Sequence, residues 1–266
     1  MATFPLPSRP PAAHLALDLQ RRLAPAAPFL VLLAAWQALS LSGLFPAQVL
    51  VPPTGVAHAL WQLAESGELT RHLGESLSRL LLGFTAGALA GLAFGTTIAL
   101  SRVAEAVASP LFLTLWQVPV IAFVPVLILF LGIDNPFKIT VVAVAAFFPV
   151  ALATFDAVRS VPRGHFEVAR VYRVPLTALV RRVLVPATLP AVLVGLRIAL
   201  TRAWVVLVAA ELLAADSGVG QMMEMGRQMF QIGVVMAGVL VSGLVGFVLD
   251  RAARAAEARA TRWRRA

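Results

Sequence analysis

Long apolar runs alternate with shorter polar segments along this chain, and each run is close to the length that crosses a membrane. About 20 apolar residues in a helix span the hydrocarbon core of a bilayer. Six runs of about this length cover 28–45, 77–100, 110–131, 139–158, 189–214 and 233–249. Open sheet cannot lie in lipid and the runs lack a period of two, so each is predicted to be a helix. The pattern predicts an all-α polytopic membrane protein with six transmembrane helices.

The amino-acid composition agrees with this pattern. Hydrophobic residues make up 59% of the 266 positions and charged residues 13%, and the mean hydropathy is +0.86. An ordinary soluble domain is about half apolar and about a quarter charged. The chain has no cysteine and its four histidines are scattered, so neither a disulfide framework, a metal centre nor a redox cofactor is expected.

Basic residues favour one side of the predicted spans. The net charge is +9, and Arg residues concentrate before the first run and after the second, fourth and sixth. In the loops on the opposite side, the only basic residues are Arg71, Arg79, Lys138 and Arg227. Since Lys and Arg are retained in the cytoplasm, both termini are predicted to be cytoplasmic. Because the charges follow the membrane edges and form no single basic face, a nucleic-acid partner is not indicated.

The spans divide the chain into consecutive parts. Residues 1–27 form a Pro- and Ala-rich cytoplasmic lead-in, 28–45 the first span, 46–250 the main transmembrane domain and 251–266 a basic cytoplasmic tail. The first run lacks a clean small-residue cleavage site and is followed by further spans, which favours a span over a signal peptide.

Two loops on the predicted outer side carry features of helices. Val56, Leu60 and Leu63 recur at helical spacing, which predicts a short amphipathic helix lying on the outer face. The loop after the fifth run is rich in Met and contains Gly218 and Gly220. It is predicted to form a re-entrant or surface helix packed on the bundle, and contact with an external partner is the alternative.

The third run contains Pro119 and Pro125 inside a predicted span. Each proline removes a backbone hydrogen bond, and neighbouring helices must satisfy the carbonyl group that is freed. A kinked helix that faces the bundle interior is therefore favoured. The kink is either purely structural or lines a pathway that opens and closes.

The segment 160–188, between the fourth and fifth runs, is too polar to be a span and too regular to be a free loop. Val168, Val171 and Tyr172 lie at helical spacing, and the apolar positions from Leu176 to Val183 repeat it. Two short helices are predicted, with the bend at Val174 and Pro175, because a residue before proline avoids the helical region. Without further information, an interfacial helix held by anionic lipid is an equal alternative.

This segment resembles the signature of binding-protein-dependent ABC transporter permeases. That signature is Glu-Ala-Ala, a Gly four residues beyond the last Ala, and Ile-x-Leu-Pro after nine more residues. The matching positions here are Glu167, Val168, Ala169, Arg173, Val183, Val185 and Pro186. The flanking sequences are similar to the nitrate, sulfonate and taurine branch of these permeases. The resemblance extends over about 52–254.

The resemblance implies a cytoplasmic coupling helix pair that docks in a groove of a separate ATP-binding subunit. That subunit would bind ATP-Mg and hydrolyse it, since this chain lacks a Gly-rich phosphate loop ending in Gly-Lys-Ser/Thr and holds no cofactor. The resemblance also implies a homodimer in the bacterial inner membrane and an external solute-binding protein. The implied ATPase-coupling residues are Glu167, Val168, Ala169, Arg170, Arg173, Pro175, Val183 and Pro186.

Arg173 departs from the family pattern, which has Gly at this position. A residue other than Gly in the left-handed region costs about 1–2 kcal/mol. We expect Pro175 to supply the bend instead, which would leave Arg173 in an ordinary conformation and free to contact an acidic site on the ATPase.

Ionisable residues inside the fifth run are costly in lipid and are expected to face the bundle interior or water. Arg202 and Glu211 are about half a turn out of phase, so they are not expected to pair. Arg197 is expected to snorkel or to cap carbonyl groups. Glu211 is the candidate for the translocation path, together with Trp204, Pro119 and Pro125. A structural hydrogen bond is the alternative for Glu211.

The sequence leaves alternatives open for both the substrate and the mechanism. The resembling branch moves nitrate, sulfonates, taurine and related organic anions, whereas close relatives import pyrimidine or thiamine-like precursors. A secondary transporter or channel that needs no ATPase would require coupling carboxylates within the membrane, and only Glu211 approaches that condition. A structural scaffold, in which 166–190 merely binds lipid, is a further alternative.

Overall fold

The computed structural model describes residues 27–46 and 49–264, and every regular element within these ranges is a helix. Residues 1–26 of the predicted lead-in and the last two residues of the basic tail lie outside the described part. In chain order the helices are α1 (Ala27–Leu41), α2 (Pro53–Glu65), α3 (Glu68–Leu100), α4 (Arg102–Trp116), α5 (Val124–Leu131), α6 (Asn135–Arg159), α7 (Arg163–Val171), α8 (176–213), α9 (Val219–Gln228) and α10 (Ile232–Ala260).

Within the described part of the chain, four helices are long and apolar enough to cross a membrane: α3, α6, α8 and α10. The pair α4 and α5 passes the same criterion together, although its two parts are bent by 90°. Helix α1 is apolar but has only 15 residues. The multi-pass helical fold is therefore confirmed with four spans, or five if the bent pair is one span, and the predicted first span stays a prediction.

The third predicted span is broken where a kinked helix was expected. Helix α4 begins at Arg102 and ends at Trp116, and a short 3₁₀ turn over Val120–Phe123 leads into α5. Pro119 has no N–H to donate and holds the preceding residue out of the helical region. Pro125 lies in the first turn of α5, where the missing N–H costs nothing. The chain therefore changes direction at 117–119.

Helices α3 and α6 approach so closely that their backbones touch. Four glycines of α3 at a spacing of four residues face carbonyl groups of α6: Gly83, Gly87, Gly91 and Gly95 lie against Ile139, Ala143, Phe147 and Ala151. A methyl group added to Gly83 or Gly91 would lie 2.6 or 2.7 Å from the facing carbonyl oxygen. Small residues permit this close approach. The van der Waals contacts that result hold the helices together in lipid, where the hydrophobic effect gives no driving force between them.

Helix α8 packs on the other side of α6 and completes the core. Gly195 lies against Ala153, and farther along α8 the buried Trp204 and Leu207 pack with Leu80 and Val142. The indole N–H of Trp204 donates a hydrogen bond of 3.0 Å to a carbonyl of α10. The core therefore joins α3, α6, α8 and α10.

Helices α2 and α9 cover one end of the bundle, which we call the α9 end; the opposite end, which carries α7, is the α7 end. Val56 and Leu63 of α2 are buried with Met222 of α9 and Ala237 of α10, as the helical spacing in the sequence predicts. Met223 of α9 belongs to the main core. The Met-rich helix thus packs on the bundle, in agreement with its preferred interpretation.

We expect the same substitution to have opposite effects at two glycines of α3. Gly87→Ala forces a methyl group into the Ala143 backbone and is expected to destabilise the protein by about 1–3 kcal/mol, the usual cost of overpacking. Gly74→Ala meets no atom within 4 Å and is expected to stabilise α3 by about 0.5–1 kcal/mol. The thermal midpoint and monodispersity in detergent measure both effects. Equal behaviour of the two variants would contradict the close α3–α6 contact.

Candidate functional site

The first part of the candidate site is α7, whose inner face is anchored to the bundle. Phe166 packs on a buried cluster formed by Val158, Val161 and Leu184, and Ala169 is also buried. The apolar residues on this face therefore hold α7 against the ends of α6 and α8.

The other side of α7 is apolar and uncovered. Val168, Val171 and Tyr172 are 58%, 78% and 78% exposed. Glu167 and Arg170 are exposed beside them and line a groove of about 520 Å³ towards the ends of α3, α4 and α6. An exposed apolar patch with a charged rim is typical of a surface that binds another protein.

The turn after α7 requires a left-handed residue, and that residue is Arg173, with φ of 51°. The N–H of Val174 donates to the carbonyl of Ala169 at 2.8 Å, and the N–H of Arg173 donates to that of Arg170 at 3.1 Å. These two bonds define a Schellman motif, whose C′ residue is left-handed. The expectation that Arg173 keeps an ordinary conformation is therefore wrong, because the helix end itself fixes this conformation.

Pro175 does not replace the left-handed residue as the source of the bend. Its carbonyl accepts from the N–H groups of Ala178 and Leu179, both at 3.0 Å, so Pro175 begins the next helix. Arg173 and Pro175 therefore act in sequence: the first ends α7 and the second starts α8.

The predicted second short helix is not a separate element. The segments Leu176–Leu179, Val180–Leu184 and Val185–Leu213 run on as α8, with a π-helical turn in the middle one. Val183 and Pro186 are half-buried within this continuous helix. The apolar repeat from Leu176 onward is thus the beginning of the membrane helix. Helix α7 is thus joined to the membrane helix α8 by a single tight turn.

The second part of the candidate site is a buried polar cluster at the α9 end. Glu211 of α8 is 1% exposed and Arg79 of α3 is 4% exposed. Arg79 Nη1 donates to Glu211 Oε1 at 3.0 Å, and Ser76 Oγ lies 2.9 and 2.8 Å from the two carboxylate oxygens. The N–H of Gly220 donates to Glu211 Oε2 at 3.1 Å.

Further hydrogen bonds join this cluster to the loop before α9. Arg79 donates to the carbonyl and hydroxyl oxygens of Ser217 at 2.7 and 2.6 Å, and to Asn135 Oδ1 at 2.6 Å. The N–H groups of Gly218 and Val219 donate to His72 Nδ1 and Ser76 Oγ. Every charged group in the cluster therefore has partners, as a buried ion pair requires.

Glu211 therefore makes the structural hydrogen bonds that were the alternative given for it, and its part in a translocation path stays a prediction. Its contact with Gly218 and Gly220 leaves no room for a side chain at either position, which explains both glycines. Trp204 is likewise buried, at 2% exposure. The sequence pattern was not used to predict Arg79 as the partner of Glu211. An Arg near the edge of one apolar run and a Glu near the edge of another could have indicated such an ion pair.

A second buried cation lies nearby. Lys138 of α6 is fully buried, and its Nζ donates to Asp216 Oδ1 at 2.6 Å. This hydrogen bond lowers the pKa of Asp216, so the carboxylate is charged at neutral pH. The loop 214–218 is therefore tied to α6 as well as to α3.

Arg197 behaves differently from the expectation that it snorkels or caps carbonyl groups. Its Nε lies 3.8 Å from Asp250 Oδ1 and its Nη1 lies 3.3 Å from Glu257 Oε2. Both carboxylates belong to α10, which extends beyond its apolar part. Arg197 therefore links α8 to α10, a contact between distant parts of the chain that the sequence pattern did not reveal.

The third part of the candidate site is a cavity of about 380 Å³ at the break between α4 and α5. Trp116, Gln117 and Pro119 line it from the break, and Arg202 lines it from α8. Of the predicted path residues, Pro119 lies at this cavity, whereas Pro125 is exposed in the first turn of α5.

Comparison with known proteins gives consistent matches. Residues 83–262 match the family described as binding-protein-dependent transport system inner membrane component. A protein of Bacillus subtilis (strain 168) named as an aliphatic sulfonates transport permease is 38% identical, over 88% of this chain and 85% of its own. The taurine transport system permease of Escherichia coli (strain K12) is 32% identical, over 88% and 86%.

The fold also matches a solved transporter. The inward-facing MetNI methionine ABC transporter aligns with a TM-score of 0.58 and 23% identity, over 72% of this chain and 97% of that chain. At this identity the likeness concerns the fold alone.

We expect the Arg79–Glu211 pair to behave as a coupled unit. Glu211→Gln removes the buried counter-ion of Arg79, which keeps only the more exposed Glu75 at 3.2 Å, and is expected to cost up to about 3–5 kcal/mol. The double variant Arg79→Met with Glu211→Gln is expected to recover a large part of that loss. Thermal unfolding of the purified protein and of both single variants gives the coupling energy.

Arg227→Gln, which breaks an exposed ion pair with Glu224 on α9, serves as the control and is expected to change little. Strictly additive losses in the Arg79 and Glu211 variants would contradict the coupling.

Proposed function

Because the chain belongs to the family of binding-protein-dependent transport system inner membrane components, we propose that it is the permease subunit of an ATP-driven importer for a small organic anion. It forms the substrate path, and a separate ATP-binding cassette subunit binds ATP-Mg and hydrolyses it. The chain itself supplies no ATP-hydrolysing site.

The uncovered face of α7 is the observation that carries this proposal. Val168, Val171 and Tyr172 present an apolar surface, and the charged Glu167 and Arg170 flank it. A short rigid helix with such a face suits a groove on a partner protein, and charges at the rim set orientation. Since α7 connects through one tight turn to α8, closure of the partner would tilt a helix that crosses the membrane.

The orientation follows from the charges. Arg102, Arg159 and Arg170 lie at the α7 end, which is therefore assigned to the cytoplasm of a bacterial cell with an inner membrane. The α9 end then faces outward, where α2 and α9 offer a surface to a solute-binding protein. A cytoplasmic N-terminus requires α1 to cross as the first of six spans. Its 15 residues cover about 22 Å, so neighbouring apolar residues must complete the crossing.

A second copy of the chain completes the path. Arg202 is exposed on the membrane-spanning α8, and a cation at this depth faces water or protein and avoids lipid. A homodimer places that face of α8 towards the partner copy and the path between them.

The substrate class rests on the relatives. Two relatives are named for aliphatic sulfonates and for taurine, both of which carry a sulfonate group. An importer of pyrimidine or thiamine-like precursors is the second candidate, retained from the family resemblance. A secondary transporter has less support, because Glu211 is enclosed by hydrogen bonds and has no access to water in this structure.

ATP-dependent uptake in reconstituted vesicles tests the function. We expect the permease, purified with its ATPase and supplied with its binding protein, to import radiolabelled taurine or an alkanesulfonate only when ATP is present. Glu167→Lys is expected to reduce ATPase co-purification severely, whereas Glu65→Lys on α2 should leave it unchanged. Uptake that proceeds without ATP, or a wild-type chain that binds no ATPase, would refute the proposal.

Arg173 provides a separate test of the docking surface. Arg173→Gly relieves the left-handed strain and is expected to stabilise the turn by about 1 kcal/mol or less, since Gly also loosens the unfolded chain. Amide hydrogen exchange of 163–174 measures this. If Arg173 contacts the ATPase, Arg173→Gly weakens assembly and Arg173→Glu weakens it further. If both variants assemble with the ATPase as well as the wild type does, Arg173 forms the turn and does not contact the ATPase.

A further inference from the structure

The cavity between the end of α4, α6 and α8 lies at a break in a membrane helix. Backbone that is not helical is tolerated at membrane depth only where protein covers it or where it lines a water-filled space. Residues 117–119 have no regular structure, and Gln117 and Pro119 form one wall of the cavity. Broken membrane helices form binding sites in many transporters for this reason.

Arg202 enters the cavity from α8, near the middle of the membrane. It lies about 16 Å from the end of α8 at Leu213, in a layer about 30 Å thick. Its guanidinium group lies 5.5 Å from the centre of the Trp116 ring. Among the described residues no carboxylate lies within ion-pair distance of Arg202, whereas Arg79 and Arg197 both have acidic partners.

The remaining walls of the cavity combine apolar surface with a few polar groups. Trp116 and Phe148 contribute aromatic rings 5.9 Å apart, and Gln117 and Thr201 are the other polar residues. The volume of about 380 Å³ is at the small end of the range for ligand sites, about 300–1,000 Å³. Such a site suits a ligand with one anionic group and a short apolar body.

We infer that this cavity binds the transported anion during its passage, with Arg202 pairing with the anionic group. Trp116 and Phe148 then hold the apolar part, and the Gln117 amide donates a hydrogen bond. This inference deepens the proposed function and rests on it for the substrate class. It assigns Arg202 a binding role, separate from the structural pairs of Arg79 and Arg197.

Ligand-observed NMR titration of the detergent-purified permease–ATPase complex, without binding protein, tests the site. The probe is 1-butanesulfonate, with 1-butanol and butyltrimethylammonium as neutral and cationic analogues of equal chain length. We expect saturable binding of the sulfonate alone. Because hydrogen bonds to charged groups carry much of such affinity, Arg202→Gln is expected to weaken it about 10- to 100-fold, and Arg202→Lys to retain most of it.

Arg197→Gln is the matched control, because it removes a charge from the same helix outside the cavity. We expect it to leave the affinity for butanesulfonate unchanged. Assembly with the ATPase and a single size-exclusion peak identify variants that fold, and Arg202→Met, for which the same loss of affinity is expected, serves if Arg202→Gln does not fold. The inference is overturned if the wild type does not bind the sulfonate, if butanol binds equally well, or if Arg202→Gln keeps full affinity.

Uptake separates this inference from the proposed function. If the wild-type complex imports the sulfonate with ATP and Arg202→Gln imports and binds it equally well, the inference fails and the proposed function stands. If no ATP-driven uptake occurs although binding depends on Arg202, the proposed function fails and the anion site stands.

Discussion

The contact between the backbones of α3 and α6 is the constraint on which the rest of the structure depends. In lipid, apolar side chains gain little by leaving one apolar surface for another, so close packing and polar contacts must hold the helices together. The glycines from Gly83 to Gly95 allow that packing along about three turns of α3. With α3 and α6 fixed, α8 can pack on α6 through Gly195, and this brings Glu211 beside Arg79.

That ion pair then fixes the loop leading to α9. The carboxylate of Glu211 accepts from Arg79, Ser76 and Gly220, and Arg79 in turn binds Ser217. The end of α8 that carries Glu211 is thus anchored at the α9 end of the bundle. The other end of α8 continues directly into the turn at Arg173. Under the proposed function, a helix that is anchored at one end and joined at the other to the proposed docking surface would transmit a tilt across the membrane. The same element carries Arg202 in its middle, beside the cavity.

Local pattern was sufficient to predict some of these features and insufficient for others. Apolar run length predicted the long helices, and helical spacing predicted α2 with Val56 and Leu63 inward. A short helix was predicted in the polar segment 160–188, and α7 lies there, whereas its role in coupling stays a proposal. The conformation of Arg173 was predicted wrongly, because the hydrogen bonds that end α7 outweigh the preference of a residue without the freedom of Gly. The partners of Arg197 and Glu211 come from helices distant in sequence, and spacing within one run cannot identify them.

The arginines of the membrane helices differ in the groups that compensate their charge. This difference suits Arg79 and Arg197 to stabilising the fold and Arg202 to the binding role that we propose. Arg79 and Arg197 have carboxylate partners on other helices. Removing the charge of Arg79 takes a counter-ion from the buried Glu211, whereas the partners of Arg197 are half-buried and Asp250 keeps its ion pair with Arg254. Among the described residues Arg202 has no acidic partner, and its guanidinium group lies over the Trp116 ring, a contact worth about 0.5–2 kcal/mol. That is less than the cost of a cation within the membrane, about 2.5–3.5 kcal/mol at a helix centre. Water, an anion or the second copy of the chain must supply the difference, and the cavity beside Arg202 has room for water or an anion.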